Sequence, residues 1–240
     1  MTQRLPTNFE RLYAHENGLR EQAVALIVAD ERLQSHVTMV ERMMVIADRL
    51  SRLPEPGADL KFVQALAVRS FNAFAAALRL ALSGYARDSV PILRDILEMV
   101  FLLDLFAGDH SAIERCRSAS PEIRMAQFSA TELQRLLDER DQATGSARKN
   151  LHDRYSELAG QNGGQSALTA YSDTTLGPRI DRTSLDTLLF ELARLAEQIG
   201  THLSPFFPHG SGIHLAFKKE QLERMQKFHS VPLPPTPKAL

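Results

Sequence analysis

The sequence predicts an all-α fold, a bundle of about six or seven helices around a central antiparallel hairpin. Three observations carry that prediction. Apolar residues recur at spacings of three and four along most of the chain, most clearly at Leu185, Leu188, Leu189, Leu192, Leu195 and Ile199. Helix start and stop signals, among them Asp59, Gly84, Pro91 and Ser120-Pro121, punctuate those runs. No segment carries a trustworthy strand alternation, and no internal repeat is present.

The hairpin lies in residues 60–107. Asp59 is a candidate cap for a helix over 60–82, whose polar residues Lys61, Arg69, Asn72 and Arg79 fall on one side. A helix apolar over the rest of its circumference packs among other helices. Gly84 supplies a left-handed stop, and Asp88 or Ser89 caps the next helix with Pro91 in its first turn, where no intrahelical N–H is lost. The short link makes the two helices antiparallel neighbours.

Upstream, residues 8–53 read as two helices, or one bent near residue 34, with Asn8 and Ser35 as candidate caps and Pro54-Glu55-Pro56-Gly57 as the stop. Downstream, 109–118 reads as a short amphipathic helix. Ser120-Pro121 then opens a helix expected to run to about residue 142, and 147–159 resumes with Leu151, Tyr155 and Leu158 on one side. Residues 160–182 lack helical periodicity. Residues 184–203 form the last strong helix, and 213–229 reads as a short amphipathic one. We expect one helical domain over 1–229 and a disordered Pro-rich tail over 230–240.

Composition narrows the function classes. Of the 240 residues 44% are hydrophobic and 24% charged, as in an ordinary soluble protein. The formal net charge is -1 and the charges are interspersed, which argues against a dedicated duplex-DNA binder. A single cysteine, Cys116, excludes an intrachain disulfide and suits the cytoplasm. The N-terminus has no signal-type apolar core. The greasiest segment, 96–107, is too short to span a bilayer and is broken by Glu98 and Asp104.

The residues that point to chemistry sit in the second helix of the hairpin. Arg94 and Glu98 are four apart and share one face, with Arg87 a heptad earlier and Phe101, Leu102 and Leu105 following. Charges at the edge of an apolar surface need partners or water. Two readings fit: a salt bridge that fixes helix register, or a site where Arg94 binds an anion and Glu98 orients it or moves a proton. Asp88 and Asp95 read as capping and surface residues. Tyr155 is a candidate to stack on a base, or a core residue of its helix.

The order Gly84, Arg87-Asp88, Ile92-Leu93-Arg94, Leu97-Glu98 and a bulky apolar run resembles a bacterial, uncharacterised all-α family with the same elements across a helical hairpin. That family looks like a relative of the HEPN-type folds, which include abortive-infection and toxin-type proteins. The resemblance covers roughly residues 77–106 and extends more weakly to Tyr155-Ser156-Glu157-Leu158. It implies a helical bundle and a homodimer and brings no established reaction with it. Taken with the residues above, the expectation is a HEPN-like bacterial stress or phage-defence protein that binds or processes RNA, with Arg94 and Glu98 catalytic and Arg87 and Tyr155 binding. No cofactor is implied.

HEPN ribonucleases carry Arg, four to six residues, then His. Only Arg224 to His229 has that spacing here, and it lies beside the tail. His202, His209 and His214, with Glu220, are the residues a metal-dependent hydrolase would use, but none has the i, i+4 spacing of a helical metal pair, so no metal is expected. Gly160, Gly163 and Gly164 do not follow a strand, which gives no support to a phosphate-binding loop. The remaining alternative is a non-catalytic, dimeric helical module that binds a partner protein.

Overall fold

The helices that begin at Glu31, Pro121, Ala130 and Arg182 start at side-chain caps, from Asp30, Ser120, Ser129 and Asp181. The computed structural model describes residues 6–54, 56–143, 145, 147–158, 177–208, 219, 222–223 and 225–230. Among these residues it is all-α, with no strand. The helices are α1 (Thr7–Val28), α2 (Glu31–Ser51), α3 (Ala58–Leu82), α4 (Val90–Gly108), α5 (Ser111–Ser118), α6 (Pro121–Gln127), α7 (Ala130–Arg140), α8 (Ala147–Leu158) and α9 (Arg182–Leu203). Turns of 3-10 helix lie at Arg87–Ser89 and Ser204–Phe206.

Helices α1 to α9, together with the helical residues 225–230, exceed the expected six or seven, and the extra breaks have local causes. Asp30, not Ser35, starts α2: its carboxylate accepts from the Arg32 and Leu33 amides at 2.9 and 3.4 Å. Residues 121–142 are two helices. Ser129 accepts from the Glu132 amide at 3.4 Å and so starts α7 after α6 has ended at Gln127. Asn8 and Asp59 do not cap, because α1 and α3 each begin one residue earlier. Asp88 does not cap either, and Ser89 donates back to the Ala86 carbonyl instead. Asp181 caps α9 by accepting from the Ser184 amide at 2.7 Å.

The core is built by α2, α3, α4 and α9. The most extensive packing is between α9 and α2, followed by α2 with α3 and α9 with α4. Thus α9, with the full stripe from Leu185 to Ile199 buried, shares the centre that the sequence assigned to the α3–α4 hairpin alone. Helices α7 and α8 flank α4, while α1 lies against α2 and α3. By length and composition α3 is long and apolar enough to cross a membrane. Its Val63, Ala67, Phe74 and Ala77 are buried against the bundle, whereas Lys61, Arg69 and Arg79 are exposed.

Gly84 turns the chain between α3 and α4 at φ +88°, and its carbonyl accepts from the Arg179 amide at 3.2 Å. A Cβ at this position would sit 2.7 Å from the Arg179 nitrogen and 2.9 Å from a Leu19 methyl. Gly84→Ala therefore meets both a left-handed backbone penalty of about 1–2 kcal/mol and a clash. We expect its melting temperature, read by circular dichroism, to fall by roughly 4 °C or more. An unchanged value would mean that the strap at residues 178–179 moves freely.

Candidate functional site

Pro91 sits in the first turn of α4, so the helix is regular by the time it reaches Arg94. Arg94 and Glu98 form the expected i, i+4 ion pair at 3.2 Å, with side chains 25% and 36% exposed. Helix α8 adds a residue that the sequence reading missed. The His152 Nε2 lies 3.7 Å from the same Glu98 carboxylate oxygen, too far for a hydrogen bond but close enough for one to form on a small shift. Among the described residues neither Arg94 Nε nor His152 Nε2 has a hydrogen-bond partner, although both atoms are buried. The three side chains thus form a partly exposed Arg–Glu–His group with unused donor and acceptor capacity.

Arg87 is exposed and lies in the 3-10 turn before α4. The 3-10 pitch takes it off the heptad relation that would have continued the Arg94 stripe. Asp88 and Asp95 are exposed, consistent with surface roles. Tyr155 is wholly buried and offers no face to solvent. Its hydroxyl donates to Glu191 at 2.6 Å and accepts from Arg194 at 3.1 Å. Burial, together with the Glu191 carboxylate, pushes its pKa well above the usual tyrosine value. Glu191 also pairs with Arg194 at 2.7 Å and Arg154 at 3.2 Å, so one buried carboxylate holds two guanidinium groups and a phenol.

Helices α4, α8 and α9 enclose a cleft of about 470 Å³. Arg154 and Arg194 line it, as do Leu97, Val100, Phe101, Asp104, Arg148 and His202. Arg94, Glu98 and His152 do not. Asp104 binds Arg140 at 3.0 Å and lies 3.8 Å from both Arg148 and His202. Arg140 and Arg148 in turn share Asp141, and Arg148 binds Asp138 at 2.5 Å. Burial, reinforced by the nearby Arg140 and Arg148, keeps the His202 pKa below its ordinary value despite Asp104.

Among the described residues no group of three or more His, Cys, Asp or Glu side chains is arranged to hold a metal ion. His209, His214 and Glu220, the other members of the histidine group, lie outside the described residues, as does Arg224 of the Arg224–His229 spacing. His229 itself pairs with Glu197 at 2.6 Å, and its neighbour Phe228 is buried. No family model matches the chain, and no curated protein or solved structure matches it.

Proposed function

We propose that this protein is a HEPN-like, cytoplasmic RNA-processing protein of a bacterial stress or phage-defence system, with Arg94, Glu98 and His152 as its reacting group. The observation that supports this reading is the approach of His152 to the Arg94–Glu98 pair. Cleavage of RNA needs no more than a base, an acid and a cation at the phosphate. In the proposed step the ribose 2′-oxygen attacks the adjacent phosphorus, and its proton passes to the His152 imidazole. The P–O5′ bond breaks, and the departing 5′-oxygen takes a proton from the imidazolium. The products are a 2′,3′-cyclic phosphate and a free 5′-hydroxyl. Glu98 orients the imidazole and supports its charged form, while Arg94 neutralises the charge that builds on the phosphoryl oxygens.

Replacing Arg94 with alanine is expected to lower cleavage of a labelled single-stranded RNA by about 100-fold or more, and His152→Ala by a similar factor. A partly exposed i, i+4 pair contributes only about 0.3–0.5 kcal/mol, so both variants should melt within a few degrees of wild type. Wild-type protein that neither binds nor cleaves RNA would overturn the proposal.

The same reading makes the protein a homodimer. The first turns of α1 project Phe9, Leu12 and Tyr13 into solvent at 52%, 40% and 46% exposure, an apolar surface of the kind that marks an interface. Sedimentation velocity should show a dimer that Tyr13→Glu dissociates. A dimer without RNA activity would favour the alternative of a non-catalytic module that binds a partner protein.

A further inference from the structure

The cleft between α4, α8 and α9 has a charge arrangement that its own residues do not exhaust. At one end Arg154 and Arg194 share the carboxylate of Glu191, so among the described residues two cations face one anion. Arg194 Nε is buried and has no hydrogen-bond partner among the described residues. At the other end Asp104, Asp138 and Asp141 surround Arg140 and Arg148, three carboxylates to two guanidiniums. Leu97 and Asp104 line these two ends from α4 and are seven residues apart, a separation of about 10 Å along a helix. Between them the wall is mixed, with Val100 and Phe101 on α4 and Leu151 on α8 beside the polar Asn150 and Gln198.

A ligand that fits must carry an anion at one end, a flat body with apolar faces and a polar rim in the middle, and hydrogen-bond donors at the far edge. Two converging guanidinium groups favour a tetrahedral or bidentate oxyanion. An aromatic and aliphatic wall accepts a ring. The Asp104 carboxylate, whose two guanidinium neighbours are also engaged by Asp138 and Asp141, accepts exocyclic amine or ring N–H donors. The volume of about 470 Å³ lies in the range of small-molecule sites and is too short for an extended strand. We propose that this cleft binds a nucleoside monophosphate, with the phosphate at Arg154 and Arg194, the base against Phe101 and the base edge toward Asp104. The site is separate from Arg94, Glu98 and His152, and the inference does not depend on cleavage there.

The test is isothermal titration of the full chain with GMP, AMP, CMP and UMP, with inorganic phosphate as the headgroup alone. At least one nucleotide should bind saturably and about tenfold or more tighter than phosphate, since the wall and the far end contribute only to the whole molecule. Arg154 is about half exposed, so Arg154→Ala should fold normally, which its thermal melt checks, and should weaken binding about tenfold or more. Arg154→Glu should abolish binding and the ligand-induced rise in melting temperature. Lys61→Ala, on the exposed side of α3 and away from the cleft, should leave the affinity unchanged. Three results would each overturn the proposal: no saturable nucleotide binding, phosphate binding as tightly as any nucleotide, or affinity indifferent to both Arg154 variants.

Discussion

Glu191→Ala is expected to lower the unfolding free energy by about 3 kcal/mol, at the lower end of the cost of breaking a buried ion pair. The carboxylate is almost fully buried, its three partners lie at 2.6, 2.7 and 3.2 Å, and each depends on it differently. Tyr155 has no solvent exposure, so without Glu191 its hydroxyl proton loses its acceptor among the described residues; Arg194 can donate to that oxygen but cannot accept from it. Arg154 and Arg194 border the cleft and can recover water, which holds the loss to the lower end of the range. Glu191→Gln keeps an acceptor for the phenol and should cost only about 1 kcal/mol. Urea unfolding with an unchanged m-value checks both variants. Adding Tyr155→Phe to Glu191→Ala should cost little more, because the hydroxyl has by then lost its acceptor. A full additive loss would mean that Tyr155 and Glu191 stabilise the bundle independently.

That network shows how far the sequence could be read. The six-residue stripe of α9 declared both a helix and its buried face, and the structure buries all six. Glu191 falls inside the stripe, between Leu188 and Leu195, and a carboxylate there signals a buried partner. The partner's identity was not legible, since Tyr155 is 36 residues away and tertiary packing alone decides the pairing. His152 and Glu98 are a similar case, because a contact between α4 and α8 leaves no periodic trace in either helix. The break before α7 was legible in principle. Ser129 and Glu132 have capping-box spacing, but the apolar residues on either side continue a helical rhythm that masks it. In α2 Val37, Val40, Met44, Ala47 and Leu50 share one face by their spacing, and the structure buries Val40, Ala47 and Leu50 but turns the rest of that face. His36, Met39, Met43 and Ile46 are buried, whereas Val37 and Met44 lie at the margin of the core. The turn follows from α9, which packs across α2 and draws in His36 against Phe190.

His36 should make the fold sensitive to acid. Its ring is 1% exposed and sits edge-on to Phe190 and Phe228, with neither nitrogen hydrogen-bonded among the described residues. Burial, helped by the Arg32 guanidinium and only partly opposed by Asp30, lowers its pKa from 6.5 to about 4. The unfolded chain therefore binds the extra proton first. The stability that the neutral ring contributes is complete above the unfolded pKa and is lost as the pH falls from 6.5 towards 4. A shift of that size corresponds to about 3 kcal/mol. Asp186 acts in the opposite sense, because burial raises its pKa and protonating it relieves a cost as the pH falls. Comparing wild type with His36→Leu separates the two, since the variant retains the 2.5 Å contact of Asp186 with Arg32. The stability difference between them should shift against wild type by about 3 kcal/mol on acidification across that window. Asp186 Oδ1 lies 3.6 Å from His36 Nε2, and a closer approach would turn the pair into a charged bridge that holds the proton. In that event wild type would gain on the variant as the pH falls, so the sign of the change distinguishes a neutral core histidine from an ion pair.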